Sequence, residues 1–368
     1  MSNSDLVCRF DVIGIDSRPL VGGKAASLGE LTKVGIPVPP GCVVTTAAFE
    51  AALNALDSED SIRRGVEQLD ADDSVTIARV AAGIRRRVAT VPFPAELRTA
   101  IAGGYHQLAH ATDPEGVDAP VAIRSSATSE DSAEASFAGL QDTHLWVRGE
   151  ESVIDHVRRC WASLYSDESV SYRRRLKLPE RGLAMGVVIQ RMVDARAAGV
   201  MFTRSPITGD RSVVMIDASW GLGSAVVSGE VTPDAFVVNK VTGDIVRRTI
   251  SSKLRQHRMD PCGAGVIEED VPAEIQEQPC LSDEEVGQLV EVARRVEGHY
   301  GAPQDIEWAV ARERESGGAI FILQSRPETV WATRDATAVA SPKPRAFDHV
   351  FDMLSRGAVA DRDKGPPR

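Results

Sequence analysis

Three stretches of this 368-residue chain gather side chains able to handle phosphate. Gly22-Gly23-Lys24 sets a glycine turn before a lysine at a helix start, where backbone N–H groups and an ammonium can converge on an anion. It is not a P-loop, because GxxxxGK[ST] needs glycine at 18 and Ser or Thr at 25, and the chain has Arg18 and Ala25. Taken alone, Lys24 is either a phosphate ligand or a solvated helix-start lysine. The second stretch, Arg124-Ser125-Ser126-Ala127-Thr128-Ser129-Glu130-Asp131, puts an arginine and four hydroxyls into one loop, followed by Ser136-Phe137-Ala138-Gly139. A forked guanidinium, small hydroxyls and a glycine suit a polyphosphate cradle. The same spacing also suits a helix start capped by Ser129 or Asp131.

The third stretch is a hairpin pattern around Ser316-Gly317-Gly318. Asp305 and Glu307 share one strand face, as do Gln324 and Arg326. A symmetric closure sets Glu307 opposite Gln324 and Asp305 opposite Arg326. Two carboxylates, an amide oxygen and a guanidinium then converge on one patch, a donor set fit for Mg²⁺ held against a nucleotide. The alternative is a cross-strand ion pair on a solvated face. Other chemistries find little support. Gly221-Leu222-Gly223 meets Val226 where GxGxxG needs its last glycine, the seven histidines form no HxH or HExxH pattern, and no GxSxG elbow occurs.

The elements that must position these groups divide the chain by texture. A glycine turn and short amphipathic helix occupy 20–35, residues 47–115 carry helical periodicity, and Val121-Ala122-Ile123 is a short buried strand leading to Arg124. Ser152 with Asp155 signals a capped helix over 152–165, burying Val153, Ile154, Val157, Trp161 and Leu164. From 185 strands dominate, at 185–190, 199–203, 213–217, 235–239 and 245–250. A helix capped by Ser282 and Glu285 precedes the terminal hairpin. The fold class is α+β, helix-rich first and strand-rich second, and the segment after Trp331 reads as a mobile tail. The basic runs Arg85-Arg86-Arg87 and Arg173-Arg174-Arg175 read as solvated helix faces.

Composition narrows the function. With 42 Lys+Arg against 53 Asp+Glu the formal charge is −11, which argues against a nucleic-acid partner needing a basic face. The longest nearly apolar stretch, Gly182 to Ile189, is far short of the roughly 18–20 residues of a spanning helix, so no membrane role is expected. The amino terminus carries no secretory pattern. Five widely spaced cysteines without CxxC argue against disulfides or a structural zinc, and the expected location is cytoplasmic.

These residues carry a resemblance. The run 21–30 from Val21 to Glu30, the run 123–131 from Ile123 to Asp131, Ser136-Phe137-Ala138-Gly139, Met201-Phe202-Thr203-Arg204-Ser205-Pro206 and Gln324-Ser325-Arg326-Pro327 resemble the nucleotide-binding domain of phosphoenolpyruvate synthase, pyruvate phosphate dikinase and rifampicin phosphotransferase. The likeness covers about 14–331. It implies an ATP-grasp fold whose two lobes grip ATP, an N-terminal lobe over 1–190 and a C-terminal lobe over 191–332, with 333–368 as the tail. It further implies that Lys24 and Arg124 bind phosphates, Gly139 and Thr143 contribute loop contacts, and Gln190 contacts the nucleotide near the hinge. Glu307 and Gln324, with Asp305 beside them, match Mg²⁺ positions, and Arg326 the cation beside the transferring phosphoryl group. Ser205, Leu140 and Ser224 depart from the usual pattern, and none of the three is a proposed ligand.

Relatives in this family pass a phosphoryl group to a histidine on a swivelling domain, and no histidine here sits in that domain's glycine-rich motif. The resemblance therefore implies an ATP-binding subunit that phosphorylates a histidine-bearing partner, cleaving ATP to AMP, for onward transfer to a small-molecule acceptor on the partner. A phenol or cresol is the first expectation for that acceptor and pyruvate the second. Two alternatives stay open: a non-catalytic nucleotide-sensing scaffold, and a self-contained ATP-grasp ligase.

Overall fold

Short β-branched runs build a five-stranded antiparallel sheet in the computed structural model, which describes residues 6–112, 118–128, 142–260, 265–312, 320–329 and 331. Its strands are β1 (Val7–Arg9), β2 (Gly41–Val44), β3 (Val121–Ala127), β4 (Thr143–Val147) and β5 (Met185–Arg191), in the order β1-β2-β5-β3-β4. Every residue of β2 and β3 is buried, as expected of strands covered on both faces. A second antiparallel sheet starts with β6 (Ala195–Phe202), β7 (Val213–Trp220), β8 (Asp234–Asn239) and β9 (Ile245–Thr249). A ribbon of β10 (Arg255–Met259) and β11 (Val266–Asp270) follows. Strands β12 (Gln304–Ala311) and β13 (Ile320–Pro327) then return to β6, giving the order β13-β12-β6-β7-β8-β9. By contacts, Met1–Glu328 form one compact unit and Thr329–Arg368 a second, of which only Thr329 and Trp331 are described. Gly139, the capping candidates Ser129 and Asp131, the hairpin turn at 316–318 and the expected tail 333–368 lie outside the described residues.

Nine helices occur among the described residues. Helix α1 (Arg18–Lys33) is followed by α2 (Thr46–Leu56), α3 (Ser61–Glu67), α4 (Ser74–Thr90) and α5 (Ala95–Thr112). Then come α6 (Glu150–Ser163), α7 (Asp167–Arg175), α8 (Ser224–Val227) and α9 (Asp283–Tyr300). The first sheet's core gathers Phe49 of α2, Ile84 of α4, Tyr105 of α5 and Trp161 of α6. The second sheet packs Trp308 and Phe236 against Val286, Leu289, Val290 and Val296 of α9. Ser282 caps α9 through the reciprocal box expected, its hydroxyl accepting from Glu285 N–H while the Glu285 carboxylate accepts from Ser282 N–H.

Three local expectations are corrected. Helix α1 is not amphipathic: every residue from Val21 to Gly29 is buried, because the helix packs against both β3 and β5 of one sheet and β13 of the other. Its small residues permit that approach. Helix α6 begins at Glu150 with Gly149 as N-cap, not at Ser152. Gly149 turns the chain at φ 83°, and Glu150 and Glu151 then favour the helix N-terminus by charge. In α7, Arg173 is fully buried rather than solvated. It donates to Glu180 Oε1 at 2.9 Å and to the Leu164 carbonyl at 2.8 Å, and Glu180 is equally buried.

Cys42, Cys160 and Cys280 are buried thiols outside any disulfide. Burial pushes the Cys42 thiol up to about 12 and raises those of Cys160 and Cys280 as well, so these three offer no thiolate near neutral pH. Among the described residues no helix is long and apolar enough to cross a membrane.

Candidate nucleotide site

Gly22 breaks α1 at φ 78° and ψ 171°, and a Cβ there would lie 2.0 Å from the Ser126 carbonyl oxygen. Only glycine lets the first phosphate-loop candidate press onto the backbone of the second. Hydrogen bonds complete the junction. Ser126 Oγ donates to the Val21 carbonyl at 2.9 Å and accepts from Ala25 N–H at 3.0 Å. Lys24 is buried and its Nζ donates to the Ser125 carbonyl at 2.8 Å, so it is no solvated helix-start lysine. Sequence positions 101 residues apart thus form one loop pair.

The hairpin closes in the expected register at this end: Glu307 faces Gln324 and Asp305 faces Arg326. A bulge between Glu307 and Trp308 shifts the pairing further along. Alternation places Ile306 and Trp308 in the α9 core and leaves Asp305 and Glu307 on the opposite face.

Arg124 joins the two sheets. From β3, its Nη1 donates to the Leu323 carbonyl at 2.7 Å, and its Nη2 to Glu307 Oε2 at 2.9 Å and Gln324 Oε1 at 2.8 Å. One carboxylate oxygen and one amide oxygen therefore converge on a single cationic nitrogen. Hard oxygens meeting at one cation-sized position fit Mg²⁺ by donor chemistry, with the guanidinium as its stand-in. Asp305 and Arg326 sit two residues further along the same strand faces, their side chains 3.7 Å apart.

A cavity of about 320 Å³ lies against this cluster, within the size range of small-molecule sites. Arg124, Thr143, Gln190 and Glu307 line it, and Gln324 reaches it through Arg124. Thr143 stands beside Arg124 in the β3–β4 register. Gln190 is buried near the end of β5 and donates from Nε2 to the Pro39 carbonyl at 3.2 Å. Lys24, Asp305 and Arg326 flank the cluster without lining the cavity, so the structure brings four of the expected residues to its wall and leaves these three and Gln324 beside it.

Sequence reasoning missed the apolar wall of Leu145, Met192, Val193, Leu222 and Leu323. Met192 and Val193 follow β5 directly and connect the sheets, and that position after the β5 pattern was the available signal. It also missed Ser224, whose hydroxyl lies 2.8 Å from His257 Nδ1, with His257 Nε2 3.0 Å from Glu230 Oε2. Ser224 stands out in the sequence only as a departure from the usual pattern, and His257 and Glu230 follow no motif.

An α+β fold enclosing such a cavity, with Arg124, oxygen donors and an apolar wall, has the make-up of a nucleotide-binding domain. Comparison with known proteins then assigns it: residues 18–346 match the family described as pyruvate phosphate dikinase, AMP/ATP-binding domain, and the chain belongs to that family. It is 42% identical to a probable phosphoenolpyruvate synthase of Methanothermobacter thermautotrophicus, over 88% of this chain and 46% of that protein. It is 39% identical to the phosphoenolpyruvate synthase of Aeropyrum pernix, over 96% of this chain and 46% of the relative. A rifampicin phosphotransferase of a Streptomyces species is 41% identical over 93% of this chain and 37% of its own length. The chain thus spans less than half the length of these relatives.

Proposed function

We propose that this chain is an ATP-grasp domain that binds Mg·ATP in the cavity between its two sheets and donates a phosphoryl group to a histidine on a partner subunit. The observation that carries the proposal is the convergence of Arg124, Thr143, Gln190 and Glu307 on one cavity, with Gln324 held by Arg124. The apolar wall takes the base, Gln190 orients it, and Arg124 and Lys24 neutralise the phosphate chain. Glu307 and Gln324, with Asp305 beside them, would hold Mg²⁺, which supplies charge neutralisation at the phosphates. Arg326 stands ready for the phosphoryl group in transit. Such transfer is achieved chiefly by positioning and by offsetting charge. ATP would be cleaved to AMP, the β-phosphoryl going to the histidine and the γ-phosphate leaving as inorganic phosphate with an oxygen from water.

Relatives named for phosphoenolpyruvate and for rifampicin share this region, which supports an acceptor specified elsewhere. Phenol and cresol are the acceptors to try first, with pyruvate for comparison. Calorimetric titration with Mg·ATP tests the binding step. The intact chain should bind, and Glu307→Ala and Lys24→Ala should each weaken binding roughly tenfold or more, the loss of one charge-assisted contact. No binding by the intact chain sinks the proposal. Reconstitution with a histidine-bearing subunit should release AMP, and ADP as sole product would refute the transfer scheme.

A further inference from the structure

The turn after β7 is built to hold one hydroxyl against one imidazole. Gly221 adopts φ 76°, and a Cβ there would lie 2.4 Å from the His257 carbonyl oxygen. Glycine therefore lets the turn lie flat on β10, where Leu222 N–H donates to that same carbonyl at 2.9 Å. Two residues on, Ser224 Oγ sits 2.8 Å from His257 Nδ1. On the other side of the ring, Nε2 lies 3.0 Å from Glu230 Oε2. A carboxylate at Nε2 favours the proton there, which leaves Nδ1 to accept from the serine. Hydroxyl, imidazole and carboxylate stand in the order that activates a serine.

Ser224 also lines the cavity shared by Arg124, Thr143 and Glu307. A second, more open groove, lined by Ser224, His257 and Glu230, shares Thr143, Leu145 and Ser224 with it. The Ser224 hydroxyl thus stands where that groove meets the cavity, rather than in an isolated surface network.

We propose that Ser224 is a self-phosphorylation site: its Oγ takes the terminal phosphoryl group of a nucleoside triphosphate bound in the cavity, with His257 as base and Glu230 as the residue that positions the imidazole. The Oγ–P bond forms, the bond from the γ-phosphorus to the β,γ-bridging oxygen breaks, ADP leaves, and the serine proton passes to His257 Nδ1. No co-reactant beyond the triphosphate is needed. The proposal rests on ATP binding as proposed above. A phosphoserine at this edge would set a dianion beside the incoming phosphate chain, so the modified chain should bind ATP more weakly.

The test is incubation of the full chain with Mg²⁺ and ATP labelled at the γ-phosphate, with ATP binding measured on the same samples. Acid-stable label should appear and map to Ser224 by peptide mass. Ser224→Ala should abolish it and Ser224→Thr should retain part of it. His257→Gln should slow it at least tenfold. Glu230→Ala should slow it several-fold and Glu230→Gln should restore most of the rate, a rescue that loss of fold would not show. Label that is acid-labile, that maps elsewhere, or that is absent from a chain that binds ATP overturns the proposal while leaving the nucleotide site intact. A chain that binds no ATP overturns both.

Discussion

Arg124 holds its place by satisfying oxygens that a metal ion would need. Its Nη2 lies 2.9 Å from Glu307 Oε2 and 2.8 Å from Gln324 Oε1. A free divalent cation must displace a nearly buried guanidinium to reach them, which is unfavourable unless the guanidinium gains a phosphate in exchange. Metal alone should therefore bind the intact chain weakly. Arg124→Ala should bind Mn²⁺ without nucleotide roughly tenfold more tightly, while losing affinity for ATP. Mn²⁺ titration followed by electron paramagnetic resonance distinguishes the cases, and equal Mn²⁺ affinity in both proteins would remove the exchange. The pairing within this cluster was legible in sequence because alternation and a hairpin fix which residues face each other. The partnership of Arg124 with that hairpin was not, since it spans about two hundred positions and depends on how two sheets meet.

Among elements, legibility followed locality. The Ser282–Glu285 box and the strand alternation at Asp305 and Glu307 are decided within a few residues, and both formed as expected. Arg173 shows the opposite case. Its run of three arginines reads as solvent-facing, yet Glu180, beyond the end of α7, supplies a partner that permits complete burial. Replacing Glu180 with alanine leaves that guanidinium buried and uncompensated, and should destabilise the protein by about 3–5 kcal/mol in denaturant unfolding. A loss below about 1 kcal/mol would mean that Arg173 escapes to water. The contact between β4 and α6 should respond to pH instead. Burial, and then the His156 ring 4.7 Å away, hold the His144 pKa below its ordinary 6.5, against Asp142 and Asp155 and together with Arg159. The unfolded chain then takes up a proton at this position that the folded one refuses. Stability should fall as pH drops from about 6.5 toward the lowered folded value. Melting at pH 7.5 and 5.5 should show a smaller acid loss in His144→Gln, and an unchanged loss would place the sensitivity elsewhere.

For the molecule as a whole, the two large hydrophobic cores, one on each sheet, would ordinarily invite two unfolding transitions, but several contacts tie the sheets together besides Arg124. Ser27 of α1 donates to the Ser325 carbonyl at 2.9 Å, and Ile322 N–H of β13 donates to the Pro37 carbonyl at 2.7 Å. His299 of α9 lies 2.9 Å from Glu30 of α1. Helix α1 has little exposed surface and packs on both sheets, so neither sheet can open without stripping it. Calorimetry should accordingly show one transition for the compact unit, with calorimetric and van't Hoff enthalpies in agreement. Because the cavity draws its walls from β3, β5, β6, β12 and β13, a nucleotide bound there as proposed would touch both sheets. Mg·ATP at about a hundred times its dissociation constant should add ~2.7 kcal/mol, raising the single midpoint by roughly 4 °C. If ATP instead raises part of the transition and leaves a second part in place, the nucleotide is held by one sheet alone, and closure of the two sheets around it is not how this domain binds.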